Sequence, residues 1–316
     1  MFWFLKNGAY LIGVDLGDDS LNMAQLIDTK KGIDLLAGRS ERHPDSVEPG
    51  SAAWQRWAVD AIREAMINHR FHGRNVIAAV PPSEVFIEHV KMESQLSEKS
   101  EIPPEAEQAV LSKIKHKLPF EPDDAMIQYV LTEQDNVLVM ATERKIIDRH
   151  LAIYERAGLT VKSIGAWPIA LTNCYTKFFG RRNVDLKAVV MLLDVGTCCT
   201  NLVICRHKRL LFACSIPMGA KQLDNEKMVT RLVFELNACR SRFASMYPDT
   251  QIERLVFLCG PAVGTDICKT IAKQMNIQAQ VGDCLAAVQI PDPYHLGIDR
   301  RGSNTSWATA FGLSLS

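Results

Sequence analysis

The sequence lacks an excess of either charge and lacks any long apolar run. Its 36 Lys and Arg residues are balanced by 36 Asp and Glu residues, so no net field attracts the chain to nucleic acid or to anionic lipid. No stretch approaches the roughly 18 consecutive apolar residues of a membrane span. The apolar run at residues 2–5 is broken by Lys6 and Asn7 before it reaches signal-peptide length. We therefore expect a cytoplasmic protein that neither binds nucleic acid nor inserts into a membrane.

The sequence also lacks the motifs of several common enzyme and metal sites. The eight histidines and nine cysteines show no His-x-x-x-His, Cys-x-x-Cys or mixed cluster, which disfavours zinc sites. Neither a Walker A loop nor Gly-x-Gly-x-x-Gly occurs, which argues against P-loop and Rossmann proteins. Cysteines such as Cys205, Cys259 and Cys268 lie inside apolar runs. This placement indicates buried thiols in a reducing compartment.

One pattern occurs twice, once in each half of the chain. Each copy has an apolar strand, an Asp-x-Gly turn with small or polar residues, and a second strand that carries Asn. The residues of interest in the two copies are Asp15, Gly17, Ser20 and Asn22, and then Asp194, Gly196, Thr197, Thr200 and Asn201. A chain of this length is expected to form two lobes, and the repeated pattern predicts that the lobes are related.

Asp-x-Gly turns can hold phosphate, because glycine allows close approach and the turn presents backbone N–H groups. Two such turns across a cleft would clamp a nucleotide, with Thr200 as a hydroxyl donor and with Asp15 and Asp194 on Mg²⁺. One turn alone is ordinary hairpin chemistry, so the prediction depends on the duplication. A glycine-rich turn before a late helix contains Gly260 and Gly264 and is a third candidate loop.

The order of predicted elements indicates an α/β protein of two lobes with an insertion. Residues 1–81 and 160–186 are predicted to form the core of the first lobe. Residues 187–316 are predicted to form the second lobe. Between the two parts of the first lobe, residues 82–159 change to a mixed order of strands and helices, and we interpret them as a small inserted α+β subdomain.

The stretches GVDLGDDSLNMAQL, LLDVGTCCTNLVI and LVFLCGPAVG, in that order, resemble the PilM proteins of type IV pilus assembly, which are relatives of FtsA. The resemblance extends over nearly the whole chain, including KLPFEPDD and AFGLSL. It implies a two-lobed actin-like ATPase (RNase H-like) fold, with ATP and Mg²⁺ bound by the three loops described above. It also implies that the inserted subdomain and first lobe bind the short cytoplasmic N-terminus of the inner-membrane protein PilN. The chain would then lie at the inner membrane through this partner, and self-association stays open.

Departures from the family pattern argue against efficient catalysis. Asn22 stands where the family usually has a lysine, so a positive charge for phosphate is missing. Gly165 and Trp167 replace acidic residues that would orient an attacking water, and Pro261 removes an N–H donor from the adenosine loop. The second-lobe subdomain that usually grips the ribose is reduced to a remnant near residues 225–253. We therefore expect degenerate ATP binding and a weak or lost ATPase activity.

Two alternatives stay open. An FtsA-like division scaffold would reach the membrane through a basic amphipathic tail, whereas this chain stops at Ser316 directly after its last predicted helix, so liposome binding is expected to fail. A small-molecule kinase of the same superfamily would need an aspartate base facing an enclosed substrate pocket. No unassigned acidic residue is in position for that role.

Overall fold

The structure is a computed structural model that describes residues 8–92, 103–260, 263–290 and 306–316. The amino-terminal apolar run and Pro261, which enter the predictions above, lie outside the described residues. Among the described helices, none combines the length and apolarity that crossing a bilayer requires. The described residues form three β-sheets with helices packed against them, an α/β architecture.

Strands and helices alternate along most of the chain, as the sequence predicts. The strands are β1 (Ile12–Leu16), β2 (Ser20–Thr29), β3 (Gly32–Arg42), β4 (Asn75–Val80), β5 (Phe86–Lys91), β6 (Ala125–Leu131), β7 (Asn136–Glu143), β8 (Thr160–Ala166), β9 (Val189–Val195), β10 (Thr200–Arg206), β11 (Arg209–Ile216), β12 (Arg254–Phe257) and β13 (Ala279–Val281). The helices are α1 (Ala52–Asn68), α2 (Pro104–Ile114), α3 (Arg144–Arg156), α4 (Trp167–Phe178), α5 (Glu226–Met246), α6 (Thr265–Met275) and α7 (Ala308–Ser314).

Two of the sheets have the same topology. The first sheet has the strand order β3-β2-β1-β4-β8, and the second has the order β11-β10-β9-β12-β13. In both, a three-stranded antiparallel meander is extended by two parallel strands. Each lobe is therefore built on one copy of the same sheet, which agrees with the duplication seen in the sequence.

Local sequence accounts for the central strand of each lobe and for helix α1 of the first lobe. All residues of β9, and nearly all of β1, are buried, as expected for apolar strands in the middle of a covered sheet. Helix α1 begins after Ser51, whose hydroxyl accepts a hydrogen bond from the Trp54 N–H at 3.1 Å and so caps the helix. The apolar face of α1 that includes Ala58 and Ile62 is buried against the sheet.

The inserted subdomain is a three-stranded sheet, β5-β7-β6, covered on one face by α2. Alternate residues of β7 point to opposite faces. Val137 and Val139 pack with α2 in a separate small core, whereas Leu138 and Met140 pack into the core of the first lobe. Helix α3 follows β7 but packs against α1 and β8. The predicted insertion spans residues 82–159, but its last helix, α3, packs against elements of the first lobe.

Helix α7 packs on the first sheet, although the predicted boundary placed residues 187–316 in the second lobe. It contacts β1, β2, β4 and α4, and the Ser314 hydroxyl donates to the Leu11 carbonyl at 2.7 Å. Two glycines permit this approach. A Cβ on Gly13 would lie 2.1 Å from the Ala310 carbonyl oxygen, and a Cβ on Gly312 would lie 1.8 Å from the Ala170 carbonyl oxygen.

We expect Gly312→Ala to lower the free energy of unfolding by about 3 kcal/mol or more, because the new methyl group meets backbone that cannot move aside. Gly165→Ala is the matched control, since a Cβ there meets no atom within 4 Å, and its effect should stay within about 0.5 kcal/mol. Urea unfolding monitored by circular dichroism measures both. Equal stability of the two variants would contradict the close packing of α7.

Candidate functional site

The two Asp-x-Gly turns face each other across one crevice between the lobes. Asp15 lies in β1 and Asp194 in β9, which are equivalent strands of the two sheets. The crevice therefore brings together residues that are far apart in the sequence. The predicted site residues that line it are Asp15, Gly17, Ser20, Asn22, Asp194, Gly196, Thr197 and Asn201.

In each lobe an Asp, an Asn and a Ser lie opposite one another on three adjacent antiparallel strands. The two triads are Asp15, Asn22 and Ser40, and Asp194, Asn201 and Ser215. Ser40 donates to Asn22 Oδ1 at 2.7 Å, and Ser215 donates to Asn201 Oδ1 at 3.0 Å. These bonds orient each amide so that its NH₂ group faces the carboxylate, and Asn201 Nδ2 lies 3.5 Å from Asp194 Oδ2. Asn22 and Asn201 thus act as donors to the carboxylates.

The two carboxylates are hard to ionise together. Burial, followed by the charge of Asp194, raises the pKa of Asp15 to about 7, against the opposing hydrogen bond from Asn22. Burial likewise raises the pKa of Asp194 to about 6. Asp194 Oδ1 and Asp19 Oδ2 are buried and have no hydrogen-bond partner among the described residues. Close to neutral pH the crevice therefore holds protons or attracts a cation.

Sequence reasoning missed several residues that line the crevice. Asp18 and Asp19 add two carboxylates, and Asp18 accepts a hydrogen bond from the Ser83 hydroxyl at 2.9 Å. Both follow Gly17 directly in the sequence GDDS, and this position in the turn could have indicated that they face the crevice. Trp167 is also a lining residue and is almost fully buried. Among the described lining residues there is no Lys, Arg or His, so the crevice wall is acidic.

Three predicted site residues do not line the crevice. The Thr200 hydroxyl is fully buried and donates to the Met218 carbonyl at 2.6 Å, so it holds the turn together and does not face a ligand. Gly260 and Gly264 of the third loop are absent from the described crevice wall. Gly264 instead stands at the N-cap of α6 and is exposed.

With the lobes in this arrangement, the crevice is too small to hold ATP. Its volume is about 90 Å³, whereas small-molecule sites usually measure roughly 300–1,000 Å³. The N–H groups of Gly17 and Gly196 already donate to the carbonyls of Ser20 and Cys199 at 2.8 and 2.9 Å. The described residues contain no cluster of three or more metal-ligating side chains. A divalent cation would be held by the carboxylates of Asp15 and Asp194, with water as its other ligands.

A second cavity of about 370 Å³ lies between the inserted subdomain and the first lobe. We call it the apolar groove. Its walls are mainly aliphatic, and they come from β6, β7, α3 and β8. Strands β6 and β8 are the outer strands of their sheets. The lining residues include Val85, Met126, Ile127, Met140, Ile147, Leu151, Val161, Ile164 and Gly165.

We expect Asp15→Asn to stabilise the protein above neutral pH. The pKa of Asp15 is raised from 3.8 to about 7 in the folded state, so its contribution to stability falls as the pH rises from about 4 through 7. At pH 8 the variant should gain roughly 1–3 kcal/mol in the free energy of unfolding, and the gain should shrink towards pH 5. Urea titrations at several pH values measure it.

Asp60→Asn is the matched control, because the Asp60 side chain is 77% exposed on α1. Its effect should be small at every pH. A destabilised Asp15→Asn protein at pH 8 would contradict the burial of this carboxylate.

Comparison with known proteins identifies the family. Residues 13–239 match the family model described as Type IV pilus assembly protein PilM. A comparison with curated protein sequences found no match. The family match confirms the resemblance found in the sequence motifs.

Solved structures share the fold at low sequence identity. The PilM-PilN type IV pilus biogenesis complex matches with a TM-score of 0.74 and 17% identity, over 97% of this chain and 98% of that one. The ethanolamine utilization protein EutJ from Carboxydothermus hydrogenoformans matches with a TM-score of 0.52 and 12% identity, over 97% and 89%. A protein of unknown function with an actin-like ATPase fold, from Bacteroides thetaiotaomicron, matches with a TM-score of 0.51 and 12% identity, over 95% and 100%. The fold is that of the actin-like ATPases, and because the family model spans more than half of the sequence, the chain belongs to the PilM family of type IV pilus assembly proteins.

Proposed function

We propose that this protein is a scaffold of a type IV pilus or a related secretion machine that holds the cytoplasmic N-terminal peptide of an inner-membrane PilN-like protein. The apolar groove is the site we assign to that peptide. Membership in the PilM family supports the general role. One of the matching solved structures is a complex of PilM with PilN, which supports a partner of this kind.

The groove has the composition that an extended apolar peptide needs. Ile147 and Leu151 of α3 form one wall, and Val161 and Ile164 of β8 form another. Met126 of β6 is 39% exposed, so part of its side chain is open to contact with a peptide. Burial of apolar side chains in this groove would supply the main favourable free energy of binding.

Backbone groups at the groove add specificity for an extended chain. In the described part of the structure, β8 pairs with β4 on one side and β6 pairs with β7 on one side. Among the described residues, no strand pairs with the other edge of β8 or of β6, so each of these edges presents N–H and C=O groups to a ligand. A peptide that adds as a strand to such an edge gains backbone hydrogen bonds, while its alternate side chains enter the groove.

Gly165→Val is expected to weaken peptide binding. A Cβ on Gly165 meets no atom of the protein within 4 Å, so the valine projects into open space at the groove without disturbing the fold. We expect the Kd for a synthetic peptide of the PilN-like N-terminus to rise at least about tenfold, which is about 1.4 kcal/mol. Fluorescence anisotropy with a labelled peptide measures the change.

Thr160→Val is the matched control, because it places the same side chain on β8 at an exposed position that does not line the groove. It should leave the Kd within about twofold. The assignment of the groove fails if both variants bind as tightly as the wild type. The scaffold proposal fails if the wild-type protein does not bind the peptide.

We further infer that ATP with Mg²⁺ binds weakly and that the protein does not hydrolyse ATP efficiently. The narrow crevice and its four aspartates support this inference, since carboxylates repel a triphosphate unless a cation lies between them. Asn22 offers an amide where a lysine would offer a positive charge. Nucleotide entry would require the lobes to move apart.

Mg-ATP is expected to stabilise the wild-type protein only slightly. A ligand at 100 times its Kd would add about 2.7 kcal/mol, whereas a ligand at a concentration no higher than its Kd adds about 0.4 kcal/mol or less. We expect the smaller value at millimolar Mg-ATP, because the crevice has no cationic side chain in its described wall. Thermal unfolding with and without Mg-ATP measures it, with Asp194→Ala as the comparison. A large shift that Asp194→Ala removes would show a working nucleotide site.

A further inference from the structure

The inserted subdomain contacts the second lobe as well as the first. The contact joins β5 and the β6–β7 turn to β11, the end of β10 and the last turns of α5. We call this contact the latch. Its residues on the inserted subdomain are Glu88, His89, Thr132 and Glu133, and its residues on the second lobe are Arg206, Arg209, Phe212, Arg242 and Tyr247.

A buried hydroxyl pair forms the centre of the latch. The hydroxyls of Thr132 and Tyr247 lie 2.8 Å apart. The Tyr247 hydroxyl also lies 3.1 Å from the Leu211 carbonyl, and the Thr132 hydroxyl lies 2.8 Å from the Asn136 carbonyl. Each hydroxyl has one proton, so one of them donates to the other and the second donates to its carbonyl. Tyr247 is fully buried and Thr132 is 9% exposed. Separating this pair would break a buried hydrogen bond, which opposes the separation.

A stacked ring pair lies beside the hydroxyl pair. The His89 ring stacks on Phe212, with centroids 4.2 Å apart and planes 10° apart. His89 Nε2 accepts a hydrogen bond from the Ala213 N–H at 3.2 Å. Burial, followed by the charge of Arg242, lowers the pKa of His89 to about 3. The ring is therefore neutral at physiological pH, so Nε2 can accept the hydrogen bond from Ala213.

Ion pairs surround these buried contacts. Arg242 Nη2 lies 2.5 Å from Glu88 Oε1. Glu133 pairs with Arg206 and, at 3.5 Å, with Arg209. Glu88 and Glu133 are each only 14% exposed, so these pairs are screened less than ordinary surface pairs. Together, these contacts tie the inserted sheet to the second lobe.

The same three-stranded sheet is also a wall of the apolar groove. Strands β6 and β7 supply Met126, Ile127 and Met140 to the groove, while β5 and the β6–β7 turn carry the latch. Hydrogen bonds across β5-β7-β6 and the small core under α2 hold the sheet together, so we expect it to move as one body. A displacement at the groove must therefore be accommodated at the latch.

We infer that the latch couples the apolar groove to the crevice. A peptide that enters between the inserted sheet and β8 displaces the sheet, and the latch passes that displacement to the second lobe, which changes the width of the crevice. The peptide step rests on the proposed function of the groove. Without peptide, the latch holds the lobes in the closed arrangement that leaves a crevice of about 90 Å³.

Alkylation of Cys199 measures the width of the crevice. Cys199 lines the crevice and is partly buried, so N-ethylmaleimide reaches it faster when the lobes separate. All samples carry Cys198→Ser, which removes the exposed neighbouring thiol, and mass spectrometry reads the modification at Cys199. The latch variant combines Thr132→Val, Tyr247→Phe and Glu133→Gln, which keep side-chain size and remove the polar links.

Without peptide, we expect the latch variant to react at Cys199 about fivefold faster than the wild type, because each buried hydrogen bond that is lost favours the open arrangement. With saturating peptide of the PilN-like N-terminus, the wild-type rate should rise about fivefold. The latch variant should show no such rise, and because coupling is reciprocal it should bind the peptide up to about fivefold more tightly. If the triple variant does not fold, Tyr247→Phe alone replaces it. The single variant should also react faster at Cys199 than the wild type, but by a smaller factor.

Tyr129→Phe and Glu143→Gln are the matched controls on the same subdomain, outside the latch, and should behave as the wild type. Equal peptide-free rates in wild type and latch variant overturn the inference, whether or not the peptide binds. If the peptide binds the wild type but leaves its Cys199 rate unchanged, the coupling is wrong and the scaffold proposal stands. If the wild type binds no peptide, the scaffold proposal and the coupling both fail.

Discussion

Two buried carboxylates on equivalent strands face one crevice, and this juxtaposition constrains the rest of the molecule. Asp15 and Asp194 face the same crevice, and near neutral pH a proton on one carboxyl or a cation between the two relieves their repulsion. Each is held in place by a cross-strand Asn and Ser, and those contacts in turn fix the register of the meander in each lobe. The duplicated sheets, the interlobe crevice and its acidic character follow from this one arrangement.

The sequence predicted the local features of this fold well, because they depend on near neighbours. The motif resemblance to PilM and the actin-like fold are confirmed by the family match and the solved structures. The Ser51 cap and the apolar face of α1 were also readable from the sequence, since each involves residues a few positions apart.

Features that depend on long-range contacts were not predictable. Helix α7 can pack on the first sheet because Gly13 and Gly312, at opposite ends of the chain, allow the close approach. No local sequence pattern predicts such a contact. Thr200 looks like a phosphate donor in sequence, but its hydroxyl bonds to Met218, 18 residues further on. The latch pairs residues such as Thr132 and Tyr247, which are 115 residues apart. Each case requires the tertiary structure.

The return of α7 has a consequence for how the protein is made. The first sheet cannot complete its packing until residues 308–314 have left the ribosome, because that helix covers β1, β2 and β4. Vectorial folding from the amino terminus is therefore delayed for the lobe that is synthesised first. Any nascent or truncated polypeptide that stops short of α7 would present a bare apolar surface to chaperones and to aggregation.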